Sequence, residues 1–393
     1  MPVPRNIVKR VPAIIVPAVV AVGVIVVPLQ AGAAAQLPDR SPKQVLLMIA
    51  GSAGTDFSGT VQSISNLGLP ELNVSTGMSQ SMIDSMSASV PKGMKDFVPT
   101  GASASAVTSA LGLLGGSHTA RVFVDSSTGV GPQKSRIQIE DKLAERNLVS
   151  TGTDAWSYDS QTNTATHLTI GSAVTPALKS KLSAIDAAIG TTVSTPAGVA
   201  RKFLESVDPS TTVTVGNDSN VAGRSAYELV LTPKSTSTLV ASVSIDVDSQ
   251  TGLPLKVTVL AKAQKDPAFQ VGFSTVDFST PRAGLFSFAP PPGATVVEQK
   301  LPDNKQTDQK QGLDSLVSEI PTVTGTGWDA VVEISAASVP AGLAGNALMN
   351  QITTPVTGGK ALSTSLLNVF LATDGRVFIG SVPLAQLQLA AKR

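Results

Sequence analysis

The sequence predicts an α+β protein dominated by antiparallel, one-sided β-sheet. Three observations carry that expectation. Short runs of alternating apolar and polar residues recur between turn residues over 119–171 and again over 211–277. Charged residues are only 15% of the chain, while Gly, Ala, Ser, Thr and Val abound, a composition that suits strands more than long surface helices. Stretches with helical period are few and short.

Taken in order, MPVPRNIVKR carries Arg5, Lys9 and Arg10 ahead of the uncharged VPAIIVPAVVAVGVIVVPL (11–29) and the small-residue AGAAAQ. That is the pattern of an export signal, with cleavage expected after Ala33 or Ala35. Nineteen apolar residues exceed the usual signal core, so an uncleaved anchor stands beside cleavage as an alternative. KQVLLMIAGSA (43–53) reads as a short helix with Val45, Leu46 and Ile49 on one side, and DFSGTVQSISN follows as a first strand. Residues 68–118 show no clean period except MSQSMIDSM, whose Met78, Met82 and Met86 recur every four residues. TARVFVDSS, KSRIQIEDK, AERNLVSTG, TDAWSYDSQ and TATHLTIG then form an expected meander. Helices are expected at 173–190 and at 195–207, the second with Thr195 as N-cap and Pro196 in its first turn.

Strands resume in TTVTVGN, SAYELVLTP, STLVASVSIDVDS, LPLKVTVLAK and AFQVGFSTVDF. Val243, Ile245 and Val247 alternate with Ser244, Asp246 and Asp248, and Tyr227, Leu229 and Leu231 with Ala226, Glu228 and Val230. Each strand is expected to turn the first set to a covered face and the second to water. DSQTGLP reads as a hairpin turn in which Gly252 supplies a positive φ. The polar stretch 298–312 reads as a linker, and a small α+β unit with a helix start at GLDSLVSEI, strands at GWDAVVEIS and TDGRVFIGSV, and TSLLNVFLA between them is expected beyond it.

Chemistry is sparse. With 29 Lys+Arg against 28 Asp+Glu the net charge is +1, which gives no electrostatic reason to bind nucleic acid. There is no cysteine, and His118 and His167 lie too far apart for a local metal motif; both read as surface or loop histidines. DVDSQTG (246–252) lacks the bidentate glutamate of a calcium loop and reads as a plain turn. Ser89 and Lys92 fit S-x-x-K, but its companion motifs are absent. Arg136, Lys142 and Arg146, interleaved with Glu140 and Asp141, read as a solvated strand face. No cofactor, metal or catalytic group is therefore expected. The methionine stripe is either the core face of one helix or an adaptable apolar surface.

Three motifs in order then resemble the LolA-like family of lipoprotein carriers. They are the strand Gly223–Pro233, the hairpin Ile245–Pro254 with its T-G-L-P end, and the "F-x-F-x-x-P-x-G" run Phe286–Gly293. TDAWSYDSQTNTATHL and FSGTVQS are similar more loosely, so that the resemblance spans about residues 43–298. It implies a twisted, open antiparallel half-barrel capped by helices around an apolar cavity. On that reading residues 1–35 are a signal or anchor, 36–298 the LolA-like domain with 68–118 as an inserted lid-like segment, 299–312 the linker and 313–393 the small α+β unit. The cavity residues would be Tyr227, Leu229, Leu231, Val243, Ile245 and Val247, and the lid residues Met78, Met82, Ile83 and Met86. The implied function is a non-enzymatic, extracytoplasmic lipid or lipoprotein carrier whose partners are acyl chains of lipoprotein or glycolipid, secreted or held at the membrane by its N-terminal segment. The related RseB/MucB group, which adds a second domain after a linker, implies the alternative of an envelope-stress regulator that binds a membrane protein. The family's strand-borne arginine has Arg121 and Arg136 as candidates.

Overall fold

A computed structural model describes residues 37–68, 116–126, 134–141, 144–152, 154–169, 195–205, 207, 209–300, 322–337, 339 and 347–393. The apolar run 11–29, the methionine stripe with Met78, Met82, Ile83 and Met86, the Ser89/Lys92 pair, the helix expected at 173–190 and the helix start at 312–320 lie outside them. Among the described residues no helix is long and apolar enough to cross a membrane.

The first five strands in the chain are β1 (Phe57–Ser65), β2 (Gly116–Asp125), β3 (Lys134–Asp141), β4 (Ala144–Ser150) and β5 (Asp154–Asp159). They are followed by β6 (Thr164–Thr169), β7 (Thr211–Val215), β8 (Ser219–Val221) and β9 (Arg224–Pro233). β10 (Val240–Asp248), β11 (Pro254–Ala261), β12 (Phe269–Asp277) and β13 (Thr295–Lys300) complete a thirteen-stranded sheet. Its order is β13-β6-β5-β4-β3-β2-β1-β12-β11-β10-β9-β7, with β8 folded beside β9. Every pairing is antiparallel except β13 with β6, and the two ends do not meet, so the sheet stays open. The expected meander 119–171 is β2 to β6, and the second series is β7 with β9 to β12.

The pleat sorts the side chains of this sheet as the alternation predicts. Val243, Ile245 and Val247 stand opposite Leu231, Leu229 and Tyr227 in register, and all six are at most 3% exposed. The row continues through Val257, Val271, Val61, Val122 and Ile137. Helix α1 (Pro42–Gly51) starts at Ser41, whose hydroxyl accepts from the Gln44 amide while the Gln44 side chain accepts from the Ser41 amide. Helix α2 (Pro196–Glu205) starts where Thr195 Oγ1 accepts from the Gly198 amide at 3.1 Å. Val45 of α1 and Val199 and Ala200 of α2 are buried in the same core as the sheet row.

The other face of β10 corrects the sequence expectation. Asp246 and Asp248 are 2% and 0% exposed rather than solvated. Asp246 is paired with Lys256, its neighbour across the strand, at 2.9 Å, and accepts from the Ser219 hydroxyl. Arg224 donates from Nε and Nη2 to the two oxygens of Asp248 at 2.7 and 3.0 Å, and its guanidinium lies 4.8 Å from the Phe278 ring centroid. Burying these carboxylates is tolerated because each meets a cation and further donors.

A second sheet holds β14 (Thr322–Thr324), β15 (Val331–Ile334), β16 (Thr354–Val356), β17 (Gly359–Ser363), β18 (Asn368–Ala372) and β19 (Val377–Gly380) in the order β14-β15-β19-β18-β17-β16. Helices α3 (Ala347–Ile352) and α4 (Leu384–Ala390) complete it, and Phe378, Val382 and Leu387 are buried in its own small core. Both sheets belong to the unit Ala34–Arg393. Trp328, 8% exposed, joins them: its indole N–H donates to Thr211 Oγ1 at 2.8 Å, and its ring faces Phe203 of α2 with centroids 6.1 Å apart. The Leu239 amide also links the two sheets, donating to the Ser381 carbonyl at 2.7 Å. Trp328→Phe keeps an aromatic ring but removes the donor and part of the buried indole, and is expected to destabilise the protein by about 2–4 kcal/mol in denaturant unfolding.

Candidate functional site: the concave face

Register assigns each strand residue to a face. Val61, Ala120, Ile139 and Arg146 stand in line, as do Val122, Ile137, Leu148 and Ser157. Since Val61, Val122, Ile137 and Ile139 are core residues, this is the face that α1 and α2 cover further along, the concave one. From β4 outward it carries Leu148, Ala155 and Leu168, with Val297 of β13 opposite Thr166, and none of these four is fully buried. Serine and threonine at Ser150, Ser157, Thr164 and Thr166 fill the alternate places. A charged pair borders this surface: Arg146 Nε lies 3.7 Å from Asp159 Oδ2.

The six cavity residues expected from the sequence share one face, as read, but they lie beneath the helices. Tyr227 is 3% exposed and its hydroxyl donates to the Pro38 carbonyl at 3.0 Å, just ahead of α1. Leu229, Leu231, Val243, Ile245 and Val247 are 0% exposed. A ligand would reach them only on displacement of α1 and α2.

Neither candidate arginine faces this side. Arg121 stands opposite Thr60 and Gln138 on the convex face, with Nε 3.3 Å from Glu140 Oε1. Arg136 also projects to the convex face, where it is half-buried instead of solvated. It donates to Asn147 Oδ1 at 3.1 Å and to the Leu285 carbonyl at 3.0 Å. Among the described strand residues, Arg146 is the arginine that projects to the concave side. The signal was in the sequence: Arg146 is two residues from Leu148, so the two share a face.

Leu285 belongs to a strap, residues 278–294, which leaves the middle of the sheet at β12 and reaches the far edge at β13. It runs over the convex face. Phe286 is buried, Phe288 packs on Trp156 and Tyr158 with ring centroids 5.5 and 6.0 Å away, and Asn163 Nδ2 donates to the Gly293 carbonyl at 2.9 Å. The "F-x-F-x-x-P-x-G" run is this strap. It delivers β13 alongside β6 (a parallel pairing no hairpin can make). A shallow hollow of about 280 Å³ lies elsewhere on the convex face, lined by Ser58, Thr60, Arg121, Phe123, Thr275 and Asp277.

His167 is not a loop histidine. It stands on β6, 19% exposed, stacked on Trp156 at 4.1 Å between the carboxylates of Glu298 and Asp154. Asp248 holds the 246–252 turn: its Oδ1 accepts from the amides of Gln250 and Thr251 and from the Thr251 hydroxyl. That is an Asx turn, as a plain-turn reading of the motif requires. Among the described residues, no group of three or more His, Cys, Asp or Glu is placed to hold a metal ion.

No family model matches the chain, and no curated protein matches it. Among solved structures it is similar to the Pseudomonas aeruginosa MucA/MucB complex, at 14% identity over 89% of this chain and 96% of that one, with a TM-score of 0.43. It is also similar to a LolA superfamily protein from Nitrosomonas europaea, at 10% identity over 64% and 99% of the two chains, with a TM-score of 0.23. A putative outer membrane lipoprotein-sorting protein domain from Vibrio parahaemolyticus shows 9% identity over 63% and 95%, with a TM-score of 0.23. The open antiparallel sheet with helices on its concave face, established by its own pairing, is the architecture that the LolA-like resemblance implies.

Proposed function

We propose that the protein is a non-enzymatic, extracytoplasmic lipid- or lipoprotein-binding protein that receives acyl chains on its concave face. The observation that supports this is the continuation of the apolar row past α1 and α2 into Leu148, Ala155, Leu168 and Val297, beside the charged pair Arg146–Asp159. Acyl chains leaving water for such a surface gain about 0.8 kcal/mol per buried methylene, and a few polar groups at the border orient the headgroup. Tyr227, Leu229, Leu231, Val243, Ile245 and Val247 would extend that surface when the helices shift, and Met78, Met82, Ile83 and Met86 would close over it.

The test is mass spectrometry of organic extracts from detergent-free protein, paired with uptake of a fluorescent acyl probe. Leu168→Asp places a carboxylate in the row and is expected to cut uptake about tenfold or more with the sheet still folded. Protein that carries no lipid and takes up no probe would end this reading. The docked second sheet favours a second one, a regulator that binds a membrane protein through the RseB/MucB-like arrangement. On that reading the full chain recovers one specific membrane protein in pull-down, and removing 313–393 loses it while circular dichroism shows the main sheet intact.

A further inference from the structure

We propose that His167 is the bolt of a pH-sensitive latch that fastens the edge strand β13 to the sheet. β13 is attached on one side by parallel pairing to β6, and it carries the exposed Val296, 45% accessible. A short parallel edge strand is a weak element of a sheet, since its slanted bonds are slightly less stable per residue. Among the described side chains, one set supplements the ladder. His167 Nδ1 lies 2.8 Å from Glu298 Oε2 on β13, and Nε2 lies 3.2 Å from Asp154 Oδ1 on β5. Trp156, parallel to the imidazole within 7°, fixes the ring so that it cannot swing from one acceptor to the other without unstacking.

Both ring nitrogens therefore face carboxylates. An ionised carboxylate accepts only, and a neutral imidazole carries one N–H. Only the imidazolium satisfies both contacts, with charge on each. Loss of the proton sets a nitrogen lone pair against a carboxylate, and the link from β6 to β13 or that from β6 to β5 is lost. Asp154 and Glu298 are the charged groups facing the ring from the two flanking strands, and Phe288 of the strap, next to Trp156, adds none. Histidine is the side chain that changes charge between pH 5 and 8, so the latch is closed at the acidic end and loosens as pH rises. The strap runs directly into β13, so loosening reaches it as well.

Hydrogen–deuterium exchange of the full chain, corrected for intrinsic rates, tests this on peptides covering 164–169 and 295–300. Protection there is expected to fall about tenfold from pH 5.5 to 7.5, as the loss of one charge-assisted bond implies. Peptides from β10 and β11 should not change. Glu298→Gln, at an exposed position, should keep the fold and remove most of that pH dependence, and His167→Gln should remove all of it. The chain has two histidines, so NMR of the ring protons with His118→Gln for assignment gives the titration of His167 directly. Equal protection at the two pH values in the unaltered protein, or a pH dependence that survives in both variants, overturns the latch.

Discussion

Replacing Gly252 by alanine is expected to destabilise the protein by about 2–4 kcal/mol, from two effects that act at one atom. Gly252 has a φ of 76°, which an L-residue with a Cβ adopts at a cost. The added methyl would also stand 2.2 Å from the carbonyl oxygen of Met48. That oxygen is backbone of α1, so relief requires moving the helix off the β10–β11 turn. The T-G-L-P end of the hairpin motif is thereby explained as a seat for α1, and through α1 as part of the cover over Leu229 and Ile245. Denaturant unfolding measures the loss. If the acyl reading holds, probe uptake in the folded fraction should rise, because the helix covering the row is displaced. An Ala variant as stable as the parent would show that α1 does not sit on this turn.

Arg224→Ala is expected to cost about 3–5 kcal/mol, the usual penalty for stranding one member of a buried ion pair. Burial pushes the Asp248 carboxyl up, but the Arg224 guanidinium and the amide and hydroxyl of Thr251 outweigh it and hold the group below the usual carboxylate range. A carboxyl with a depressed folded-state pKa stabilises above its unfolded value and ceases to do so as pH falls through the folded one. The parent protein should therefore lose this contribution progressively as pH falls below the ordinary aspartate range, and wholly only at strongly acidic pH. In Arg224→Ala the burial effect loses its main opponent, so Asp248 takes up its proton at higher pH. The stability gap between parent and variant should narrow as pH falls from 7 towards 3, measured by thermal unfolding. A gap independent of pH would mean that Arg224 acts through its packing on Phe278 instead.

The sheet was legible because a period of two leaves a plain record: Val243, Ile245 and Val247 point together whatever packs upon them. What packs upon them was not legible. Whether Leu229 faces a cavity or the side chains of α1 and α2 depends on the entry angles of two short helices, which no local pattern encodes. Asp246 and Asp248 were misread for the same reason. Their burial depends on Arg224 and Lys256 arriving from neighbouring strands, 24 and 10 residues away in the chain from the aspartates they pair with. The strap motif was visible as a string, but its path over Trp156 and Tyr158 follows only from the strand order. Arg146 was the avoidable omission: its face follows from Leu148 by counting.

The seam between β1 and β12 has a kinetic consequence. β2 to β6 and β9 to β12 are each built from neighbours in sequence, so either half can zip from its own hairpins. β1 joins them by pairing Ser58 with Asp277 and Ser65 with Phe269, residues about two hundred positions apart. Contacts of that separation are slow to form, because loop closure comes before any reward. A chain made from its N-terminus delivers β1 long before its partner exists. Until the last of β12 emerges, β1 holds an unpaired edge, and the joining of the two halves waits on that seam.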